Sequence, residues 1–157
     1  MDARDVQQQA VIRQLRILYR AVQAHSREVE KACGLSSAQL WMLYEVSLSD
    51  GINVSDLATI LSIHRSTSSN MLDKLENKRL IYRDRSKSDQ RSVHIYVTEE
   101  GKRLLAKAPS PPQGRLSTTL EKLSGPELTK LENSLQIFID TLQFQSAEAS
   151  MTPIPDN

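Results

Sequence analysis

Residues 93–97, VHIYV, alternate aliphatic with polar or aromatic side chains, whereas over most of the chain the apolar residues recur at steps of three and four. A period of two belongs to a strand lying half-buried on a core, and a period near 3.6 to an amphipathic helix. A lone strand leaves its backbone groups unpaired, so this one requires a neighbour, and the segment 80–85, LIYRDR, is the nearest candidate. The chain is therefore expected to be mostly α with a small β-hairpin, its strands at 80–85 and 92–98 and its connection at 86–91. Five Gly, two Phe and one Trp among 157 residues give no support to a barrel or sandwich.

The tip of that hairpin is mostly charge: RSKSDQR occupies residues 85–91. Net charge over the whole chain is only +1, yet residues 64–91 hold eight Lys/Arg against four Asp/Glu, while residues beyond 98 carry six against eight. A local basic excess on an otherwise neutral protein suits a nucleic-acid face, although a solvated basic surface would look the same. An apolar fraction of 39% leaves room for help from a partner chain. The single Cys excludes an internal disulfide framework, and no apolar run resembles a leader or a membrane span, which leads us to expect a cytoplasmic protein.

In residues 5–33, Val11, Leu15, Leu18, Val22 and Val29 form a helical stripe widened by Ile12 and Tyr19, and Gly34 ends it. Ser36 with Gln39 predicts a capping box for a second helix reaching about Ser49. Asp50-Gly51 reads as a turn, Ile52–Val54 as a short strand, and Ser55 as the cap of the two-turn helix SDLATIL. After Ser62-Ile63-His64 a longer helix starts near Arg65, with Ser68, Met71, Leu72 and Leu75 on its packing face. Two helices joined this tightly read as helix-turn-helix. The STSSN run at 66–70 does nothing for helix propensity, but short hydroxyl and amide groups suit contact with bases and phosphates in a major groove. Thr98 caps EEGKRLLAKA, PSPPQG at 109–114 interrupts the helical pattern, and Leu116, Leu120 and Leu123 mark a further helical segment. Ser124 with Glu127 and Pro126 then starts a last helix carrying Leu128, Leu131, Leu135, Phe138 and Leu142 in heptad-like steps.

Helix-turn-helix followed by a charged hairpin, between amphipathic terminal helices, with the segments LSSAQLWML, VSDLATILSIHRSTSSNMLDKLENKRLI, DQR and VTEEGKRLL, resembles the MarR family of winged-helix transcriptional regulators over roughly residues 10–142. The resemblance implies a homodimer whose first and last helices intertwine and whose two lobes bind a pseudo-palindromic double-stranded DNA operator. It divides the chain into a dimerisation helix (1–35), a winged helix-turn-helix lobe (36–107), C-terminal dimerisation helices (108–146) and a disordered tail (147–157). The helix from Arg65 matches the recognition helix and the hairpin the wing. Asp89-Gln90-Arg91 stands at the family's D-x-R, implying that Arg91 enters the minor groove while Asp89 braces the wing. The positions expected to meet DNA are Arg65, Ser66, Thr67, Ser69, Asn70, Lys74, Arg85, Lys87, Ser88, Asp89 and Arg91. Departures from the family pattern are Arg79, where Gly is frequent after the recognition helix, His64 as its cap, and the proline-rich 109–114 segment.

Family members bind small aromatic acids in a cleft, and Arg16, Tyr19 and Arg20 from the first helix with Trp41 and Tyr44 from the second are the residues here that could line it. Tyr19 and Trp41 also fit plain packing roles. Some members sense oxidants through a cysteine, whereas a lone Cys33 reads equally as a small buried hydrophobe. His25, His64 and His94 are scattered, with no metal-ligand spacing, and no Gly-rich phosphate loop is present, so neither enzyme activity, a cofactor nor a metal is expected. The expectation is a ligand-responsive repressor; a winged-helix module serving protein interaction is the alternative.

Overall fold

The computed structural model describes residues 1–85, 92–144 and 146–154. In chain order the elements are α1 (Ala3–Cys33), α2 (Ser37–Leu48), α3 (Val54–Leu61), α4 (Arg65–Asn77), β1 (Ile81–Arg85), β2 (Val93–Val97), α5 (Glu99–Lys107), α6 (Arg115–Leu120), α7 (Gly125–Leu142) and α8 (Ala147–Ser150). The two strands pair antiparallel, Ile81 opposite Val97 and Arg85 opposite Val93. The fold class, mostly α with a two-stranded antiparallel hairpin, is as expected.

Side-chain chemistry sets most of the helix boundaries. Gly34, at φ 64°, closes α1 in the left-handed conformation that costs Gly least. Capping boxes start α2 at Ser36/Gln39 and α7 at Ser124/Glu127, and the Thr98 hydroxyl accepts from Gly101 N at 3.0 Å to start α5. In the second box the Ser124 N–H and hydroxyl both donate to the Glu127 carboxylate, which lowers its pKa. That cap is intact above the ordinary carboxyl range and is lost as pH falls through the lowered value.

Two local expectations are corrected. The cap of α3 is Asn53, whose side-chain oxygen accepts from Asp56 N at 2.8 Å, rather than Ser55, which lies inside the helix. Ile52–Val54 is no strand; Ile52 alone forms a bridge with Ile95, because helix begins at Val54. Beyond α7, Ser146 caps α8, and the Met151 carbonyl accepts from His64 N at 3.0 Å.

The core lies within α2, α3, α4 and the hairpin. Leu40, Met42, Leu43 and Val46 of α2 meet Leu57 and Leu61 of α3, Met71, Leu72 and Leu75 of α4, and Ile81, Ile95 and Val97 of the strands. Fully burying one such aliphatic side chain stabilises by about 1.5–3 kcal/mol. Val29 and Leu35 fasten the end of α1 to this lobe. Gly101 permits close approach of α5, since a Cβ there would sit 2.3 Å from the Leu80 carbonyl oxygen. By contrast α7 contains no buried residue, and Leu131, Leu135, Phe138 and Leu142 are exposed, as are Val11, Leu15 and Leu18 of α1. No helix among the described residues is long and apolar enough to cross a membrane.

Arg79 turns the chain from α4 into β1 with φ 62°, the left-handed backbone that Gly would adopt without strain. The turn is held by Leu80 N donating to Leu75 O at 3.0 Å and by the Thr98 hydroxyl donating to the Arg79 carbonyl at 2.8 Å. Arg79→Gly is expected to raise stability by about 0.5–1 kcal/mol, the relieved strain outweighing the larger unfolded-state entropy of Gly. Urea unfolding measures this, and a lower midpoint would show that the Arg79 side chain contributes more than its backbone costs.

Candidate nucleic-acid interface

Helix α4 is presented by its neighbours rather than by its own sequence. Its serines and asparagines are indifferent helix formers, so its hold comes from Ser68, Met71, Leu72 and Leu75, all buried against the core. Ser68 is fully buried, and its hydroxyl donates a long bond of 3.4 Å to the Val54 carbonyl of α3. Burying that face turns the opposite one to solvent: Arg65, Ser66, Asn70 and Lys74 are exposed, with Thr67 and Ser69 half-buried beside them. His64 occupies the cap position with no side-chain cap bond, so the cap gains nothing from its side chain.

The hairpin is tied to this helix through a residue to which the sequence reading gave no role. Arg83 Nη1 lies 2.7 Å from Asp73 Oδ1 and 3.6 Å from Glu76 Oε1, and Nη2 donates to the Ser69 carbonyl at 3.3 Å. A recoverable signal existed: Arg83 follows Ile81 by two residues, so it shares the core-facing side of β1, where a charge requires partners. The pairing engages both acidic residues of α4. Arg65 and Lys74 take part in no ion pair among the described residues, so the exposed face of α4 is left with a positive balance.

On the other side of the sheet Tyr82 and Tyr96, cross-strand partners, stack with ring centroids 5.3 Å apart and planes 18° from parallel. The base of the hairpin is pinned as well: Gly51 N donates to Ile95 O at 3.1 Å, Ile95 N to Ile52 O at 3.0 Å, and His94 Nδ1 lies 2.8 Å from the Gly51 carbonyl. Arg85 is exposed at the end of β1. The expected contacts Lys87, Ser88, Asp89 and Arg91 lie outside the described residues.

The proposed effector residues are not brought together. A cavity of about 300 Å³ opens between α1, α2, α6 and the C-terminal segment, and Trp41 lines it, together with Val22, His25, Ile63, Arg115 and Leu116. Arg16, Tyr19 and Arg20 stand exposed on α1, and Tyr44 is half-buried away from the cavity. Helix α1 places its stripe over more than one turn, and only the last third of it reaches the lobe. Cys33 is half-buried at the edge of the core, and burial pushes its thiol pKa up, which disfavours the reactive thiolate.

Residues 35–93 match the model of the MarR family. Among curated proteins the chain is 36% identical over 91 residues to an organic hydroperoxide resistance transcriptional regulator and 30% identical over 87 residues to the HTH-type transcriptional repressor MdtR, both of Bacillus subtilis (strain 168). Those matches cover 58% and 55% of this chain, and the chain spans 60% and 56% of the respective relatives. Among solved structures it is similar to the transcriptional regulator SlyA, with a TM-score of 0.57 and 25% identity over 84% of this chain and 93% of that one. It is also similar to a mutant of S. aureus MepR bound to an oligodeoxyribonucleotide, at a TM-score of 0.54 and 26% identity, over 86% and 97% of the two chains. The curated relatives are named as transcriptional regulators, not as enzymes.

Because Arg83 and its carboxylates remain partly exposed, their pairing is worth little in stability and acts on position. In a double-mutant cycle of Arg83→Met and Asp73→Asn the coupling is expected to be about 0.3–1 kcal/mol. Amide exchange in β1 should nevertheless quicken in either single variant. A coupling above about 3 kcal/mol would make the pair a pillar of folding instead of a positioning device.

Proposed function

From the match of residues 35–93 to the MarR-family model, we propose a homodimeric, ligand-responsive repressor that binds a pseudo-palindromic operator. The lobe of residues 36–107 reads DNA, and residues 1–35 with 108–146 form the dimer region. The observation that carries this reading is the divided surface of α4: a buried Ser68–Leu75 face, and opposite it Arg65, Ser66, Asn70 and Lys74 exposed while Arg83 holds the helix's own carboxylates. In a major groove Arg65 would meet a guanine edge and Asn70 an adenine, with Ser66, Thr67, Ser69 and Lys74 on bases or phosphates. Arg85, Lys87, Ser88 and Arg91 would meet the flanking backbone and minor groove, where a narrow groove concentrates negative potential, and Asp89 would brace the wing.

Support for the dimer comes from the apolar stripes of α1 and α7, which a lone chain would leave in water over a larger patch than monomers tolerate. Two-fold symmetry would cover one stripe with another and place two α4 helices about one turn of DNA apart. Repression is favoured by the printed role of the MdtR relative, and DNA binding by the oligodeoxyribonucleotide carried by the MepR neighbour. The effector would be a small, flat, largely apolar compound stacked beside Trp41, with Arg115 at the rim able to meet an acidic group. A protein-interaction module would use the same exposed α1 and α7 stripes but has no need of a basic reading face on α4.

Two measurements test the reading. Sedimentation at micromolar concentration should give a dimer, and a folded, monodisperse monomer would sink the assembly. In a binding-site selection, Arg65→Ala should relax preference at one or two positions in each half-site, at about 1–3 kcal/mol per lost base contact, while Ser68→Ala leaves the preferred sequence unchanged. Equal weakening on every sequence would reduce Arg65 to a phosphate clamp.

A further inference from the structure

The chain beyond α7 returns to the lobe at a consequential place. Ser150, Thr152, Pro153 and Ile154 form one wall of the 300 Å³ cavity, facing walls from α1, α2 and α6. Another wall is the turn of the helix-turn-helix itself, Leu61-Ser62-Ile63. One residue further on, His64 N donates to the Met151 carbonyl at 3.0 Å, and His64 O accepts the first helical bond of α4, from Ser68 N at 2.9 Å. The C-terminal segment therefore walls one side of the cavity and holds the peptide from which α4 starts.

Its own hold is slight. Helix α8 has four residues, too few to stand without tertiary support, and within 146–154 Met151 and Pro153 are half-buried while the remainder is exposed. A segment with so little buried surface opens at low free-energy cost. A ring-bearing compound larger than the roughly 300 Å³ left beside Trp41 needs this wall to move.

We propose that Ser146–Ile154 is a displaceable strap: it walls one side of the cavity, fixes the start of α4 through Met151, and is expelled by an apolar ring-bearing compound too large for the space left beside Trp41. Expulsion removes the partner of the His64 N–H and loosens the first turn of α4, which lowers DNA affinity. The last step rests on the reading of α4 as the DNA-contacting helix; the competition between strap and compound does not.

The test compares the full chain with the full-length Pro153→Asp/Ile154→Asp variant, which sets charge against the cavity wall without removing the segment, and with a chain stopped after Gln143. Anilinonaphthalene sulfonate serves as the apolar probe, Trp41, the sole tryptophan, as the fluorescent reporter of the wall, and amide exchange as the reporter of His64. In the double variant and in the shortened chain, His64 should exchange about tenfold faster and the probe should bind severalfold tighter than in the full chain. Saturating probe should accelerate His64 exchange in the full chain. Unchanged His64 exchange in the double variant, or equal probe affinity in all three chains, overturns the strap. If the probe and His64 respond as expected but no chain binds the selected operator, the strap stands and the DNA reading falls.

Discussion

Burial of one side of α4 governs what the rest of the lobe can do. Ser68, Met71, Leu72 and Leu75 recur at steps of three and four, so sinking them into the core formed with α2 and α3 fixes the rotation of the helix about its axis. Once the rotation is fixed, Arg65, Ser66, Asn70 and Lys74 have no direction left but outward. A helix of such modest propensity would not form alone, so its geometry is a loan from the core and is as rigid as that core. Ser68 shows how closely the two faces are specified: a hydroxyl is tolerated at full burial because the Val54 carbonyl lies within reach.

The hairpin inherits its position from the same helix. Arg83 bridges to Asp73, Glu76 and the Ser69 carbonyl, spanning two turns of α4, while Ile95 and His94 fasten the opposite strand to the Gly51–Ile52 turn before α3. Held from both sides, the strands can move against α4 only by breaking bonds on one of them. The Arg83 contacts also shape the field. With Asp73 and Glu76 paired to a guanidinium, part of the negative charge of α4 is offset beside Arg65 and Lys74.

Features decided within a few residues were legible in the sequence. Ser36/Gln39, Ser124/Glu127 and Thr98 start helices where their side chains reach backbone N–H groups two or three residues away, and the apolar spacing of α4 and β2 picked out Ser68, Met71, Leu72, Leu75, Ile95 and Val97 for burial or packing. Where two local solutions competed, reading failed: Asn53 and Ser55 are both good caps, and the choice went to Asn53, whose amide nitrogen also donates to the Asp56 carboxylate. Features set by distant segments were not legible at all. The Arg83 bridge needs the register of β1 against α4, and the cavity needs α1, α6 and the C-terminal segment at once. Of the five effector candidates chosen by residue type, geometry retains Trp41 at the cavity, because type cannot say which turn of a 31-residue helix faces the lobe.

The apolar stripes of α1 and α7 lie uncovered in the single chain. With no buried residue, α7 cannot owe its 18-residue length to packing within its own chain, and an isolated helix of that length is marginal in water. Its start is secured by the Ser124/Glu127 box and by Pro126, which commit only the first turn. The stripe from Leu128 to Leu142 must therefore find its cover elsewhere, and the matching stripe at Val11, Leu15 and Leu18 is equally uncovered. A second copy of the chain presents both, related by symmetry, and covering them would join two lobes through the outer part of α1. Because Val29 and Leu35 weld the inner end of that same helix to the lobe core, in the proposed dimer any change at the outer part of α1 would reach α2, the cavity and the start of α4 through a single continuous rod.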